Sequence, residues 1–577
     1  MISSSPHRPL DGPKLWILLW FLVMTAGIML RPYLPIDETR YITVAWEMWR
    51  DHSFLVPHLN GELYSQKPPL LFWMIHLGWA IFGVNDVTPR LVAPLFGLAN
   101  LFMTYRIARQ LWPSDADALI ARIAPPMVLT GFYWAVFSSM TMFDMLVTFF
   151  TLMGISALLG AWRAGGGRGH WPAFITLGLA MGFGALAKGP VILLHLLPIA
   201  LLAPYWGRVL SFAPEIAPRR DKAFWKKWYL SILIAVAIGF AVALSWAIPA
   251  AVVGGPAYAD AIFWRQSAGR MVKSFAHRRP YYWYLLLLPV LLLPWTVWPR
   301  LWAAVGGWTS WRAKVGLRAA WRDGGGRFLL LWIVPVFIAF SLISGKQPHY
   351  LLPEFPAIMV LFAFLLVRHQ DRAQAQEQTK KAIDWTIRPP ALFIAALSAI
   401  LIIAIYGALL LARFDLGGIP PWLHLVEGYW LVFPLAGGAL LAWRGRGRRV
   451  GAQVAALSSL AMTQIVFLHL ALAPALHAAY DLKPISLKLK AWEDAGRPFA
   501  QVGNYHGQYQ FLGRLKTPMG EFRTLDEATQ WLGEHPNGVL ITYPNEKTAD
   551  SARALYFQDY RGQYLAVWDS AHRPPAQ

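Results

Sequence analysis

Apolar runs of about 20 residues, the length a helix needs to cross a bilayer, recur along most of this chain. They fall near 15–31, 91–112, 119–138, 142–162, 171–187, 189–206, 229–254, 281–303, 328–344, 349–367, 391–412, 427–443 and 451–475. The pattern predicts an α-helical polytopic membrane protein of about thirteen spans. Residues 171–206 read as two helices, because Lys188-Gly189-Pro190 interrupts them. The first run has a modest basic flank, Arg8 and Lys14, and no small-residue cleavage site after it. It reads as a retained helix rather than a signal peptide.

Between the first two runs, residues 32–90 follow a different rhythm. Tyr41, Val44, Ala45, Met48 and Trp49 recur at helical spacing on one face, while Glu47, Arg50 and Asp51 lie on others. This predicts a helix lying in the membrane interface, with Asp37 and Glu38 at its N-terminal end, where the helix dipole favours negative charge. A second interfacial helix is expected to start at Pro69, directly after Lys67. Past residue 475 the composition shifts again. Strands are expected at Phe499–Tyr505, Gly538–Tyr543 and near 563–568, with helices opened by Thr524-Leu525-Asp526-Glu527 and near 549–560. The expected division is a membrane domain over 1–475 and a small α/β domain over 476–577.

Composition narrows the class. At 56% hydrophobic and 14% charged, the chain carries about half the charge of a soluble protein, which excludes a cytosolic enzyme and a disordered chain. There is no cysteine, so disulfides, thiolate nucleophiles and zinc ribbons are excluded too. The net charge of +21 would suggest nucleic acid in a soluble protein. Here the cations sit in short loops, among them Arg163/Arg168, Lys222/Lys226/Lys227, Arg318/Arg322/Arg327 and Arg444–Arg449. Such loops are retained in the cytoplasm beside anionic lipid. The expected partners are therefore membrane lipids, not nucleic acid. The N-terminus lies inside, and thirteen spans put the C-terminal domain outside.

With that orientation, unusual polar residues collect on the outer face. Asp37 and Glu38 begin the first interfacial helix, and Lys67 precedes the second. Asp144 is the only carboxylate between Asp117 and Glu215. An ionisable group near a bilayer is costly and so a functional candidate, although a helix cap explains either acidic position equally well on spacing alone. Lys188 marks the next outer turn. A later loop holds Arg265, Arg270, Lys273, His277, Arg278 and Arg279, against the positive-inside bias, and another reads Ser344-Gly345-Lys346-Gln347-Pro348-His349-Tyr350. Each cation alone reads as a headgroup contact. Their recurrence beside two acidic positions suggests an outward-facing site that handles phosphate with a carboxylate at hand.

These motifs resemble the lipid-linked-sugar glycosyltransferases of the GT-C class, closest to their aminoarabinose-transferase and protein-mannosyltransferase-like branch of bacterial inner membranes. The carriers are Asp37-Glu38-Thr39-Arg40-Tyr41, Asn60-Gly61…Tyr64-x-x-Lys67-Pro68, Asp144, Ala187-Lys188-Gly189-Pro190, His277…Pro280-Tyr281-Tyr282, and Ser344-Gly345-Lys346-x-Pro348-x-Tyr350. The resemblance covers essentially the whole chain. It implies inverting transfer of a sugar from a polyprenyl-phosphate donor to an acceptor at the periplasmic face: lipid A, lipopolysaccharide or another envelope glycan, with a protein acceptor also open. The sugar is 4-amino-4-deoxy-L-arabinose, a hexose, galacturonic acid or mannose. Asp37 is implied as the essential carboxylate, with Glu38 and Asp144 beside it. Lys67 and Arg270 are implied as the donor-phosphate ligands, assisted by Lys346, His349 and Tyr350, with Lys188, His277 and Arg278 in the same cationic ring. Aminoarabinose transferases carry a zinc-binding Glu where Gln66 stands and a His where Arg265 stands. Two ligands are thus replaced, which speaks against a bound divalent metal.

A transporter or flippase is the competing reading from another class. Transporters place ionisable groups near the bilayer midplane on broken helices. Here the charges lie at span ends on one face, which favours chemistry at headgroup depth.

Overall fold

Each apolar run is helical, whole or in pieces, in the computed structural model, which describes residues 13–114, 117–210, 221–264, 278–306, 315–376, 386–414, 420–445, 449–547 and 553–575. The first half runs α1 (Pro13–Met29), α2 (Asp37–Arg50), a short hairpin of β1 (His58–Leu59) and β2 (Glu62–Leu63), α3 (Leu70–Phe82), α4 (Thr88–Leu111), α5 (Ala118–Leu129), α6 (Phe132–Ser138), α7 (Asp144–Ala164), α8 (His170–Lys188), α9 (Val191–Leu201), α10 (Ala203–Trp206) and α11 (Lys222–Asp260). There follow α12 (Trp283–Leu291), α13 (Pro299–Val305), α14 (Val315–Arg322), α15 (Gly324–Leu342), α16 (Phe355–Gln376), α17 (Arg388–Ala412), α18 (Val432–Arg444), α19 (Val450–Tyr480) and α20 (Lys483–Asp494).

Among the described residues, eight helical stretches are long and apolar enough to cross a membrane, and α5 with α6, bent by 68°, makes a ninth. This is a multi-pass helical membrane protein. Several runs are less regular than their hydropathy suggests. The run 281–303 is not one helix but α12, a 3₁₀ turn at Trp295–Val297 and α13, because Pro294 and Pro299 remove backbone donors in mid-run. The break expected inside 171–206 is present, between α8 and α9.

Helix α2 starts with Asp37 and Glu38 in its first turn and ends with Arg50, the charge order the helix dipole favours. Its apolar face is buried inside the protein: Tyr41, Val44, Ala45 and Met48 are each 3% exposed or less. Tyr41 packs edge-on against Phe143 at 4.9 Å, and the His76 ring on α3 meets the Ala45 carbonyl at 2.8 Å.

Beyond α20 come β3 (Phe499–Val502), α21 (Gln510–Gly513), β4 (Gly520–Phe522), α22 (Leu525–Glu534), β5 (Val539–Thr542), β6 (Tyr556–Tyr560) and β7 (Gln563–Trp568). The sheet order is β4-β3-β5-β7-β6, with β3 parallel to β4 and β5, and β7 antiparallel to β5 and β6. The reciprocal Thr524–Glu527 capping box opens α22 as the motif predicts. The helix expected near 549–560 is not formed over its described part, where Tyr556–Tyr560 is strand β6. Aromatic residues suit a pleated surface, and Arg561-Gly562, both at positive φ, supply the two-residue turn that pairs β6 with β7.

Candidate functional site

Helix α7 begins at Asp144 and α8 ends at Lys188, so packing them antiparallel brings these two residues to the same end of the bundle. Lys188 Nζ donates to Asp144 Oδ1 at 2.6 Å, with both side chains largely buried. Neither charge is tolerable alone in such a setting; the pair is. The Lys188 ammonium also stands 4.9 Å from the centre of the Tyr350 ring. Lys67 reaches the same neighbourhood from the first loop, 5.7 Å from the Phe143 ring and 6.0 Å from that of Tyr41. His349 stacks on Phe137 at 5.7 Å and lies within Coulombic reach of Asp144, Lys188, Lys67 and Asp37. Four chain segments thus contribute to one cluster of opposite charges.

Asp37 is the open member, with its side chain 51% exposed. It is paired with Arg40 one turn along α2 and accepts from the Tyr41 hydroxyl at 3.3 Å. Glu38, next in sequence, points the other way and is fully buried. It is ion-paired with Arg31 and accepts from the backbone N–H groups of Leu34 at 3.0 Å and Thr141 at 2.8 Å. Arg31 in turn donates to the Ser139 carbonyl at 2.8 Å. Burial pushes the Glu38 carboxyl up, but Arg31, Arg90 and the Thr141 N–H outweigh it and hold it below the ordinary value. Glu38 therefore ties the end of α1 and the start of α2 to the turn that leads into Asp144.

Lys346 is buried, and its ammonium donates to the carbonyls of Arg279, at 3.0 Å, and Ile343. Arg278 is exposed and its backbone bridges to Gly345. Lys346 and Arg278 thus staple the segment before α12 to the one before Pro348. Arg270 and His277 lie outside the described residues. Among the described residues no group of three or more His, Asp or Glu side chains comes together. Gln66 and Arg265 stand at the two departing positions, and neither side chain is an ordinary ligand for a divalent ion.

Sequence reasoning missed three groups. Glu47, placed away from the apolar face by its spacing, is buried, and accepts from the N–H groups of Asn60 at 2.8 Å and Gly61 at 3.0 Å. Its burial raises the carboxyl pKa, only partly offset by those two bonds. Arg90 donates to the carbonyls of Ile28, Arg31 and Pro32 at 2.6–3.0 Å, which fixes the exit of α1. His195 and Glu354 form a buried pair at 2.9 Å that joins α9, after Lys188, to the turn carrying His349 and Tyr350. An ionisable residue inside an apolar run was the signal available for the last pair.

Away from the charges, α11 kinks at Gly255, where an open apolar concavity of about 410 Å³ is walled by Ile248, Val252, Pro256 and Phe263 among others. Trp246, two residues before Ile248, donates to the Leu55 carbonyl of the first loop at 2.9 Å. An apolar surface walled by one helix suits a lipid chain, not a reaction centre.

The family model for dolichyl-phosphate-mannose-protein mannosyltransferases matches residues 66–217. The undecaprenyl phosphate-α-4-amino-4-deoxy-L-arabinose arabinosyl transferase of Edwardsiella ictaluri is 29% identical over 353 residues, 60% of this chain and 57% of that protein. Its counterpart from Enterobacter sp. strain 638 is 28% identical over 410 residues, 67% and 65% of the two chains. The chain thus spans less than two thirds of the length of these curated relatives. The crystal structure of ArnT from Cupriavidus metallidurans in the apo state superposes with a TM-score of 0.71 at 18% identity, covering 98% of this chain and 99% of that one. The structure of the same protein bound to undecaprenyl phosphate gives 0.68. The chain has the ArnT fold, and the resemblance drawn from its motifs to the aminoarabinose-transferase branch holds in both sequence and fold.

Proposed function

We propose that this chain is an inverting glycosyltransferase of the bacterial inner membrane, moving a sugar from a polyprenyl-phosphate donor to lipid A or another envelope acceptor at the periplasmic face. The observation that carries the reading is the convergence of Lys67, Lys188, His349, Asp144 and Asp37 at one end of the bundle. Two lysines at headgroup depth suit a lipid-borne phosphate, and an exposed carboxylate beside them suits attack on the sugar.

In this reading the chain makes thirteen crossings with its N-terminus in the cytoplasm, and 476–577 forms a periplasmic α/β domain on the membrane domain 1–475. The cytoplasmic loops are then the basic ones. The relatives are named as undecaprenyl-phosphate-aminoarabinose transferases, which makes 4-amino-4-deoxy-L-arabinose the first sugar to test. The prenyl tail rests along the concavity of α11.

Lys67 and Lys188 take up the donor phosphate, and Asp144 keeps the Lys188 ammonium in place. As the bond from the anomeric carbon to the phosphate oxygen breaks, its electron pair stays on the departing polyprenyl phosphate, whose added charge the two ammonium groups neutralise. The acceptor oxygen attacks the opposite face of the sugar, which inverts the centre. If that oxygen is a hydroxyl, Asp37 receives its proton; if it is an ionised phosphate, Asp37 stabilises the cationic sugar at the transition state. Glu38 and Lys346 act as positioning residues. Mass spectrometry of lipid A, other surface glycans and periplasmic proteins in a deletion strain tests the reading. Loss of one sugar from one acceptor is expected, and an unchanged envelope refutes it.

A further inference from the structure

The C-terminal segment reaches the site through α2. Thr43, one turn beyond Arg40, donates to the Gly507 carbonyl at 2.7 Å and accepts from the Phe511 N–H at 3.4 Å. Gly507 has φ +74°, and a Cβ there would stand 2.8 Å from Leu59 and 3.0 Å from Thr43. Loop 503–509 is thus pressed onto α2 with no space for a side chain at its contact point. Two further bonds brace it: Tyr505 N–H to Glu521 at 2.8 Å, and His506 N–H to the Gln508 side chain at 2.8 Å. His506 is half-buried, and the charged groups around it are Arg40 and Asp37 of α2, Glu521, and Arg561. Arg561 stands exposed at the β6–β7 turn, where its backbone N–H donates to the Ala479 carbonyl at 3.1 Å.

Asp37 therefore lies within Coulombic reach of His349 in one group of basic residues and of His506 in another. Lys67, Lys188 and His349 gather around Asp144; Arg40, His506 and Arg561 gather where the C-terminal segment meets α2. A transfer reaction between two anionic lipids needs two anion sites with the reacting carbon between them. We propose that loop 503–507 and the β6–β7 turn complete the site on the acceptor side, with His506 and Arg561 binding an acceptor phosphate beside Asp37. The proposal rests on the glycosyl-transfer reading above and adds which residues choose the acceptor. Arg561 offers the planar fork that matches a phosphate. Burial, with Arg40 nearby, holds the His506 imidazole below its ordinary pKa, so it is neutral at pH 7 and gains a proton when a phosphate comes beside it.

The test uses the full chain in nanodiscs, undecaprenyl-phosphate-linked 4-amino-4-deoxy-L-arabinose as donor, and lipid A or dephosphorylated lipid A as acceptor. Wild type is expected to prefer the phosphorylated acceptor. His506→Gln and Arg561→Gln should each raise the KM for lipid A about tenfold, the loss of one charge-assisted hydrogen bond, with the donor KM unchanged. Acceptor KM values within about twofold of wild type in both variants, or equal transfer to both acceptors by wild type, overturn the proposal alone. A wild-type chain that transfers to neither acceptor overturns the glycosyl-transfer reading with it.

Discussion

The ammonium of Lys188 lies 2.6 Å from the carboxylate of Asp144, joining the last residue of one spanning helix to the first of its neighbour. Each holds the other's charge in surroundings that tolerate neither alone. The pair is consequently both a structural joint and a poised phosphate ligand, since a donor phosphate competes with Asp144 for the same ammonium.

Removing one half should therefore be worse than removing both. Asp144→Asn leaves a largely buried ammonium uncompensated, and a loss of about 3–5 kcal/mol in stability is expected. The double change Asp144→Asn with Lys188→Gln should recover most of that stability while leaving donor affinity weak. Thermal unfolding in detergent, run beside polyprenyl-phosphate binding, checks both halves of the expectation.

Lys67→Ala should act on the donor alone. The ammonium stands over the Tyr41 and Phe143 rings, and truncation removes a phosphate ligand. The donor KM is expected to rise by about tenfold or more, with the acceptor KM unchanged. An unaltered dependence of rate on donor concentration would contradict the assignment.

Glu38 predicts a pH signature. Its carboxyl is held below the ordinary value of 4.5 in the folded protein, so the folded state binds its proton less readily than the unfolded chain does. The stability it contributes is present above pH 4.5 and is lost as pH falls through the lower folded value. Glu38→Gln should lower stability at pH 7 by about 3–5 kcal/mol, because Arg31 is left buried and unpaired. It should also flatten the acid limb of a stability-against-pH curve. An unchanged limb would show that Glu38 does not titrate with folding.

Asn60 is the joint between the first loop and the C-terminal segment. Its side chain donates to the Met519 carbonyl and to Glu521, and accepts from Met519 N–H and the Gln510 side chain. Asn60→Ala should raise hydrogen exchange across 499–520 while sparing α7 and α8, and exchange mass spectrometry reads it directly.

The sequence revealed what depends on local periodicity and failed where a partner lies far along the chain. Apolar runs located the spanning helices, and the isolated Asp144 inside one of them pointed to its importance, because hydrocarbon penalises any unpaired charge. Asp37, Lys67, Lys188 and His349 were each visible as polar residues at span ends. Their mutual approach was not, since it depends on how α7, α8 and the Pro348 turn pack. The setting of Glu47 was hidden for the same reason: spacing puts it off the apolar face, and only the fold brings the N–H groups of Asn60 and Gly61 to its carboxylate. Lys346 looked identical in sequence to a phosphate ligand, and only the fold reveals the carbonyls around its ammonium. Strand β6 was read as helix because its pairing with β7 is set by the turn between them, not by its own composition.

The most direct measurement of the central claim is transfer by Asp37→Asn, with purified full-length protein and a polyprenyl-phosphate-linked sugar as donor. The account predicts that this variant folds, binds polyprenyl phosphate as tightly as wild type, and yields no glycosylated acceptor. Turnover near the wild-type rate would contradict it.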